Sequence, residues 1–310
     1  MTIQTRIADL VPNPAVLANV VGRTYATKNS LVTSGIATTG PEVDLLMEGG
    51  SQVQGLSFIN KVDTTQYNHG SDDYDQKGAV GKITAGRYSA LRQDVNWGWA
   101  TTDLVRMITK FAPTGYVEQA IPLFWGEVGE NMATAALRGA IASDASLTLG
   151  LATTVLSLDM LVDAGTDFKG GIQNIIVNRK TEAKFKKMNI NAYVPAKDTD
   201  LNVANFAGYN LFVKDDLADG ELIIAGNGAL AFATGVVPGT VPMVITRSED
   251  AGNGQGGEVL RTRRSFVVAP QGFDYKGSTS PSLATLADAA SWSKVADRDD
   301  VAFRLVKFKA

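Results

Sequence analysis

Cysteine is missing from this sequence altogether, and histidine occurs once, at His69. The first absence excludes a disulfide framework, a thiol nucleophile and any cysteine-ligated metal, and it fits a reducing compartment. The second leaves a serine hydrolase without its usual base, and no Gly-x-Ser-x-Gly elbow is present. Neither sign of charge dominates: 29 Lys and Arg stand against 32 Asp and Glu, a net charge of -3. A dedicated nucleic-acid binder would carry a basic excess. No apolar run has the length of a membrane helix. The opening residues, MTIQTRIADLVPNPAV, lack the basic start and apolar stretch of a signal peptide. What is present is apolar residue in quantity, 45% of 310 residues, enough to bury a core in one large domain or two smaller ones.

Along the chain the pattern changes several times. Up to about residue 50, apolar anchors (Ile7, Leu10, Val11, Val16, Leu17, Val20, Val21) are scattered and interrupted by Pro12 and Pro14. Such a segment cannot build its own core and is expected to lie across another domain or another subunit. In residues 51–95 two strand-like runs, SQVQGLSFINKV and AGRYSALRQDVNWGW, flank the polar stretch DTTQYNHGSDDYDQKGAVGK with Asp63, Asp72, Asp73 and Asp75. That is the pattern of an extended hairpin with a long exposed tip.

A long apolar helix is predicted from Leu123 to Leu147, with Ile121, Phe124, Val128, Met132, Ala135 and Leu137 near helical spacing. Glu127, Glu130 and Arg138 leave it a narrow polar face. Pro122 should either open this helix or kink it. Gly126, Gly129 and Gly139 each cost roughly 1 kcal/mol relative to alanine, so a helix that accepts them packs closely against something.

A shorter helix, LSLDMLVDAGTDF, should turn Leu158, Leu161 and Val162 inward. The run GIQNIIVN reads as a buried strand, and the basic helix RKTEAKFKKMNI as turning Ala183, Phe185 and Met188 inward. Helix, strand, helix suggests a mixed α and β domain. From 205 to 275 the short runs NLFVKDD, ELIIAG, ALAFATG, VPMVITR and LRTRRSFVVAP read as strands, with SEDAGNGQGG a flexible loop between the last two. SPSLATLADAASWSKV should be a helix capped by Ser280 with Pro281 at its first position. DVAFRLVKFK alternates at Val301, Phe303 and Leu305, as a terminal strand would.

Chemistry is scarce. GNGQGG follows a charged run and leads into a strand, the wrong context for a dinucleotide loop. His69 with Asp72, Asp73 and Asp75 lacks the spacing of a calcium loop and reads as a solvated cluster. Asp215 and Asp216 would point to opposite sides of a strand. In RTRR, Arg263 and Arg264 also face opposite ways, so one of them is expected in a buried or inter-subunit ion pair. No catalytic residue, cofactor or metal is expected.

The order of several patches resembles the major capsid proteins of tailed phages of the Hong Kong 97 type, over essentially the whole chain. RIADLVPNPAVLANVV and NSLVTSGIA are similar to their N-terminal arm, and MEGGSQVQGLSFINKV and ALRQDVNWGWATTDLVRMI to the strands entering and leaving their extended loop. The long helix stands where their spine helix does. LSLDMLVDAGTDFKGGIQNIIVNRKTEAKFKKM is similar to their peripheral domain. LFVKDDL and ELIIAGNGALAF are similar to their axial domain. LRTRRSFVVAPQGFDYKG, SPSLATLADAASWSKV and VAFRLVKFK resemble the return strand, terminal helix and final strand. The resemblance implies an α+β fold with an arm at 1–50, a hairpin loop at 51–95, the spine helix and first part of the peripheral domain at 96–204, an axial domain at 205–258, and the return elements at 259–310. It implies a virion protein, made in a bacterial cytoplasm, whose hexamers and pentamers enclose double-stranded DNA, with portal, scaffolding and decoration proteins as partners. An encapsulin-like compartment is the alternative on the same fold. Candidate inter-subunit contacts are then Lys61, Asp72, Asp73 and Lys77 in the hairpin and Arg263 and Arg264 in the return strand. Some members cross-link lysine to asparagine, but Lys61, Lys77 and Lys82, in or beside a polar loop, are of a kind usually just solvated.

Overall fold

The computed structural model describes residues 36–38, 52–59, 62, 65–73, 75–109, 113–167, 174–188, 193–194, 204–215, 217–236 and 239–310. The expected N-terminal arm, apart from residues 36–38, lies outside them, as do Lys61, Asp63 and Asp216. The strands are β1 (Ala37–Thr38), β2 (Val53–Ile59), β3 (Ala85–Thr102), β4 (Thr148–Gly150), β5 (Asn174–Val177), β6 (Tyr193–Val194), β7 (Ala204–Phe206), β8 (Tyr209–Val213), β9 (Glu221–Ala225), β10 (Leu230–Gly235), β11 (Met243–Ser248), β12 (Gly257–Pro270), β13 (Phe273–Tyr275), β14 (Trp292–Lys294) and β15 (Phe303–Lys307). The helices are α1 (Asp103–Thr109), α2 (Pro113–Ser143), α3 (Leu158–Thr166), α4 (Arg179–Met188) and α5 (Leu283–Leu286), with one further helical turn at Ala251–Gly254 that is broken by positive φ at Gly252 and Asn253.

The first sheet is organised by β12. Twelve of its residues pair antiparallel with β3, from Gly257↔Thr102 to Val268↔Leu91. Its other edge is shared: the first half pairs with β11 and the second half with β10. β2 adds to the far side of β3, so the strands flanking the polar tip do form an antiparallel hairpin.

The helix α2 lies against β3, β10 and β12 and, further along, against the segment from α5 to β14. It is longer than the sequence pattern suggested. Pro113 opens it, a position where proline costs nothing because the first amides have no helical partner. It then runs through Pro122, which is exposed to solvent. It ends at Ser143, where Asp144 turns extended and accepts a hydrogen bond from the Ser146 amide. From Gly129 to Ile141 nearly every residue is buried or half-buried, which leaves little room for a polar face. Glu130, expected on that face, is buried and ion-paired with Lys214 just beyond β8, tying the helix to the second sheet.

Two glycines set the closeness of this packing. A Cβ on Gly129 would stand 2.7 Å from the Phe266 ring of β12, and one on Gly139 would stand 2.1 Å from the Leu286 carbonyl oxygen and 2.5 Å from Trp292 Nε1. That indole nitrogen donates to the same Leu286 carbonyl at 2.7 Å.

The second sheet has the order β4-β15-β9-β5-β8-β7-β6. Alternation divides its side chains. Ile176, Phe212, Ile223 and Phe303 join the cluster that contains α2, while Ile175, Val177, Leu222, Ile224 and Val306 form a second core with α3 and α4. This sheet draws on residues from 148 to 225 and on β15 near residue 305. A domain boundary at 204 therefore falls inside it, and the final strand belongs here rather than with the return strand.

Three further expectations change. The helix near residue 283 is one turn, capped by Ser282, whose hydroxyl accepts from the Thr285 amide, not by Ser280. In α3 the core takes Leu161 and Ala164, leaving Leu158 and Val162 exposed. In α4 it takes Thr181 and Phe185, leaving Ala183 and Met188 outside.

Two substitutions test the packing of α2. Ala136 is wholly buried, so Ala136→Glu should abolish soluble folded protein, because an unpaired buried carboxylate costs several kcal/mol. Gly139→Ala would gain up to about 1 kcal/mol from helix propensity alone. It should nevertheless lower the melting temperature, because the Leu286 backbone must move. An unchanged or raised melting temperature would show that the approach at Gly139 is loose.

Candidate assembly surfaces

The hairpin beyond β2 and β3 presents side chains with little to bind within the chain. Its loop is clasped at the base by Asn68, whose side-chain amide donates to the Ala79 carbonyl at 2.8 Å and accepts from the Ala79 amide at 3.1 Å. At the tip Asp73 accepts from the Asp75 amide, and its carbonyl from the Gln76 amide, making a local turn. Asp72 and Lys77 are exposed and make no hydrogen bond or ion pair among the described residues. His69 meets the Tyr67 ring edge-on at 5.1 Å rather than the aspartates. Among the described residues no three metal-ligating side chains converge. Ile59, Tyr67, Val80 and Ile83 are also exposed, Val80 at 95%.

The far end of the first sheet is a three-stranded ribbon of β11, β12 and β3. Register places Met243, Thr262 and Trp97 side by side on one face, followed by Ile245, Leu260 and Trp99. Trp99 is held by Phe124 of α2, ring centroids 5.4 Å apart, but Trp97 is 56% exposed, and Met243 and Ile245 are exposed beside it. The helix α1, fixed to the ribbon by Arg106–Glu258 and Asp103–Arg247 ion pairs, turns Leu104, Met107 and Ile108 outward on one stripe. Exposed apolar groups gathered in this way mark surfaces that meet other molecules.

Arg263 and Arg264 do lie on opposite faces of β12. Arg263 is exposed and donates to the Val241 carbonyl. Arg264 donates from Nε to Thr234 Oγ1 at the rim of a cavity of about 270 Å³ lined by Ile121, Pro122, Trp125 and Phe232. Neither forms an ion pair among the described residues, so of the two alternatives a buried pair within the chain is not seen. The structure does not bring these arginines together with Asp72, Asp73 or Lys77 within one chain.

The strongest polar centre was not foreseen. Arg304, fully buried on β15, has all five N–H donors satisfied: two go to Asp167, at its carboxylate (2.7 Å) and carbonyl (3.3 Å), and the others to the carbonyls of Val301, Phe303 and Arg298. Arg298 also grips the Asp167 carboxylate, at 2.6 Å to both oxygens. Burial pushes the Asp167 carboxyl up, but hydrogen bonds from the two arginines outweigh this and hold it below its ordinary value. Nearby, the Lys294 ammonium holds Asp144 down to about 2. The signal in the sequence was an arginine among alternating apolar residues. Alternation alone places Arg304 on one face of the strand and gives no partner for it. Among the described residues no helix is long and apolar enough to cross a membrane.

No protein-family model matches the sequence, and no curated protein matches it. Solved structures do match in fold. A chain of Mycobacterium phage Patience is 11% identical and aligns with a TM-score of 0.55 over 100% of this chain and 94% of its own. A chain from the capsid of an empty GTA particle, computed with C5 symmetry, is 12% identical, with a TM-score of 0.54 over 96% of this chain and 99% of its own. One from the capsid of Ralstonia phage GP4 is 7% identical, with a TM-score of 0.52 over 78% and 84%. The fold is that of phage and GTA capsid chains.

Both Asp144 and Asp167 have carboxyls depressed by folding, so their contribution to stability is complete above about pH 4. It is lost as the pH falls, for Asp144 through about 2. Asp144→Asn should lower stability at neutral pH by about 1 kcal/mol, allowing for solvent screening, and should flatten the acid limb. Melting temperatures from pH 7 to pH 2 check this. Parallel curves for wild type and variant would contradict it.

Proposed function

We propose that this chain is the major capsid protein of a tailed bacteriophage, a shell subunit that assembles with copies of itself into the hexamers and pentamers of an icosahedral head around double-stranded DNA. The observation that carries the reading is the likeness in fold to the GTA capsid chain and the phage chain over more than nine-tenths of both partners. A domain borrowed into some other protein would match only part of its length. In this reading α2 is the beam of the subunit, the β2–β3 hairpin lies over a neighbour, and the second sheet gathers about the axis of each ring. Lys61, Asp72, Asp73, Lys77, Arg263 and Arg264 are contacts between copies.

The surfaces support this on physical grounds. Large apolar side chains stay exposed on the hairpin, the ribbon and α1, where a monomer would suffer aggregation. The near balance of charge also suits a container: a strongly basic lining would hold DNA through its phosphates and oppose release. Portal, scaffolding and decoration proteins are the further partners of such a shell, and the virion is its location.

Electron microscopy with size-exclusion light scattering on the expressed chain tests the proposal. Closed shells, tubes or rings are expected. Nuclease-protected double-stranded DNA in particles from infected cells separates a phage head from a compartment that encloses protein. A chain that stays monomeric, both alone and with the scaffolding protein encoded beside it, would overturn the assignment.

A further inference from the structure

Four apolar positions on the helices of the second sheet are not where amphipathic spacing would put them. Leu158 and Val162 of α3, and Ala183 and Met188 of α4, are exposed although their spacing suits a core. Leu161 and Ala164, and Thr181 and Phe185, hold the inward positions instead. On α3 the exposed residues are one turn apart. Leu151 and Val155, just before the helix, extend the apolar exposure at 68% and 71%. Beside Leu158 and Val162 on the outer face stand Asp159 and Asp163, also one turn apart. Neither carboxylate has an ion-pair or hydrogen-bond partner among the described residues.

The two helices occupy different halves of the sheet. α3 stands over the β4–β15 side: the Met160 methyl lies 2.2 Å from where a Cβ on Gly150 would be, and Asp167 holds Arg304. α4 stands over the β7–β8 side, its Phe185 against Phe206 of β7 at 4.8 Å. The outer stripe of α4 carries Ala183 and, one turn on, Lys187, with Met188 adjacent. Lys187 has no partner among the described residues, whereas Arg179, Lys180 and Lys186 are each ion-paired within the chain. One half of the sheet thus shows a bulky apolar ridge edged by free carboxylates. The other shows a small residue and a thioether beside a free ammonium.

We propose that a second copy of this chain covers α3: its α4 packs there, with Ala183 and Met188 against Leu158 and Val162, and Lys187 between Asp159 and Asp163. The contact joins unlike surfaces, α3 of one copy to α4 of the next, and its repetition gives a ring where the rotation between copies closes. It rests on the shell reading and deepens it by naming an interface within the ring. The same outward apolar residues that spacing assigned to the core are then buried, but between copies.

A charge exchange in the full-length chain tests it. Asp163→Lys and Lys187→Asp, each alone, place like charges together in the contact, and each should cut the yield of rings or shells about tenfold or more. Their melting temperatures as unassembled protein should stay near that of the wild type, since both side chains are exposed. The double variant should recover assembly to within a few-fold of wild type, a rescue that a loss of folding would not show. Leu158→Ser with Val162→Ser should also weaken assembly while leaving the fold intact. Single reversals that assemble at the wild-type yield, or a double variant no better than the singles, would overturn the contact. A wild-type chain that forms no particle, alone or with the scaffolding protein, would overturn the shell reading instead.

Discussion

The approach of the α2 backbone to its surroundings governs the rest of this architecture. At Gly129 and Gly139 the helix surface is bare, and an aromatic ring on one side and a carbonyl on the other fill the space that side chains would take. Because interiors are packed as densely as organic crystals, such contacts cannot be loosened without losing dispersion over the whole seam. The helix therefore fixes the position of β12 through Phe266, and that of the β13–β14 pair through Trp292. The buried Glu130–Lys214 pair adds a directional link to the second sheet. Neither sheet is free to choose its own relation to the helix.

A second constraint lies just beyond the C-terminal end of α2, where Arg298 also donates to the Ser146 carbonyl. Asp167 closes α3 and is clamped by Arg298 and Arg304, which come from a part of the chain more than a hundred residues later. A buried guanidinium with every donor used is poorly replaced by any other residue, since lysine offers three donors in a different geometry. The clamp holds α3, β15 and the turn before β15 in one arrangement and leaves the outer face of α3 firmly presented.

Local signals in the sequence were reliable where the cause is local. The short runs from NLFVKDD to VPMVITR became strands. The hairpin followed from polar residues between two apolar runs, and two of the helix glycines, Gly129 and Gly139, did signal close packing, while Gly126 lines the cavity. The failures have physical reasons. Pro122 does not open the helix but lies inside it at an exposed position, because the helix begins earlier, at Pro113. Ser280 lost the cap to Ser282 because only Ser282 has an extended backbone with its hydroxyl in reach of the Thr285 amide. Leu158, Val162, Ala183 and Met188 have apolar spacing without core burial, and periodicity reports only that a residue avoids water, not which body shields it. The second sheet takes strands from both sides of residue 204, and pairing across such distances leaves no mark in a single sequence. Among the candidate contacts, Arg263 and Arg264 were placed on opposite faces by alternation alone. Asp72 and Lys77 make no hydrogen bond or ion pair among the described residues, and Asp73 serves its own turn.

The shared edge of β12 has a mechanical consequence. β3 is hydrogen-bonded along twelve residues to a single strand, while that strand is gripped on its other side by two successive neighbours whose junction falls near its middle. A pull along the length of β3 loads this ladder in shear, so many bonds must yield together and the joint between β10 and β11 is bridged by an unbroken splint. A pull across the strands peels the ladder one bond at a time. The chain is consequently stiff along one direction and yielding along the perpendicular one, a grain like that of timber, and the hairpin and α1 lie at the two ends of the stiff axis.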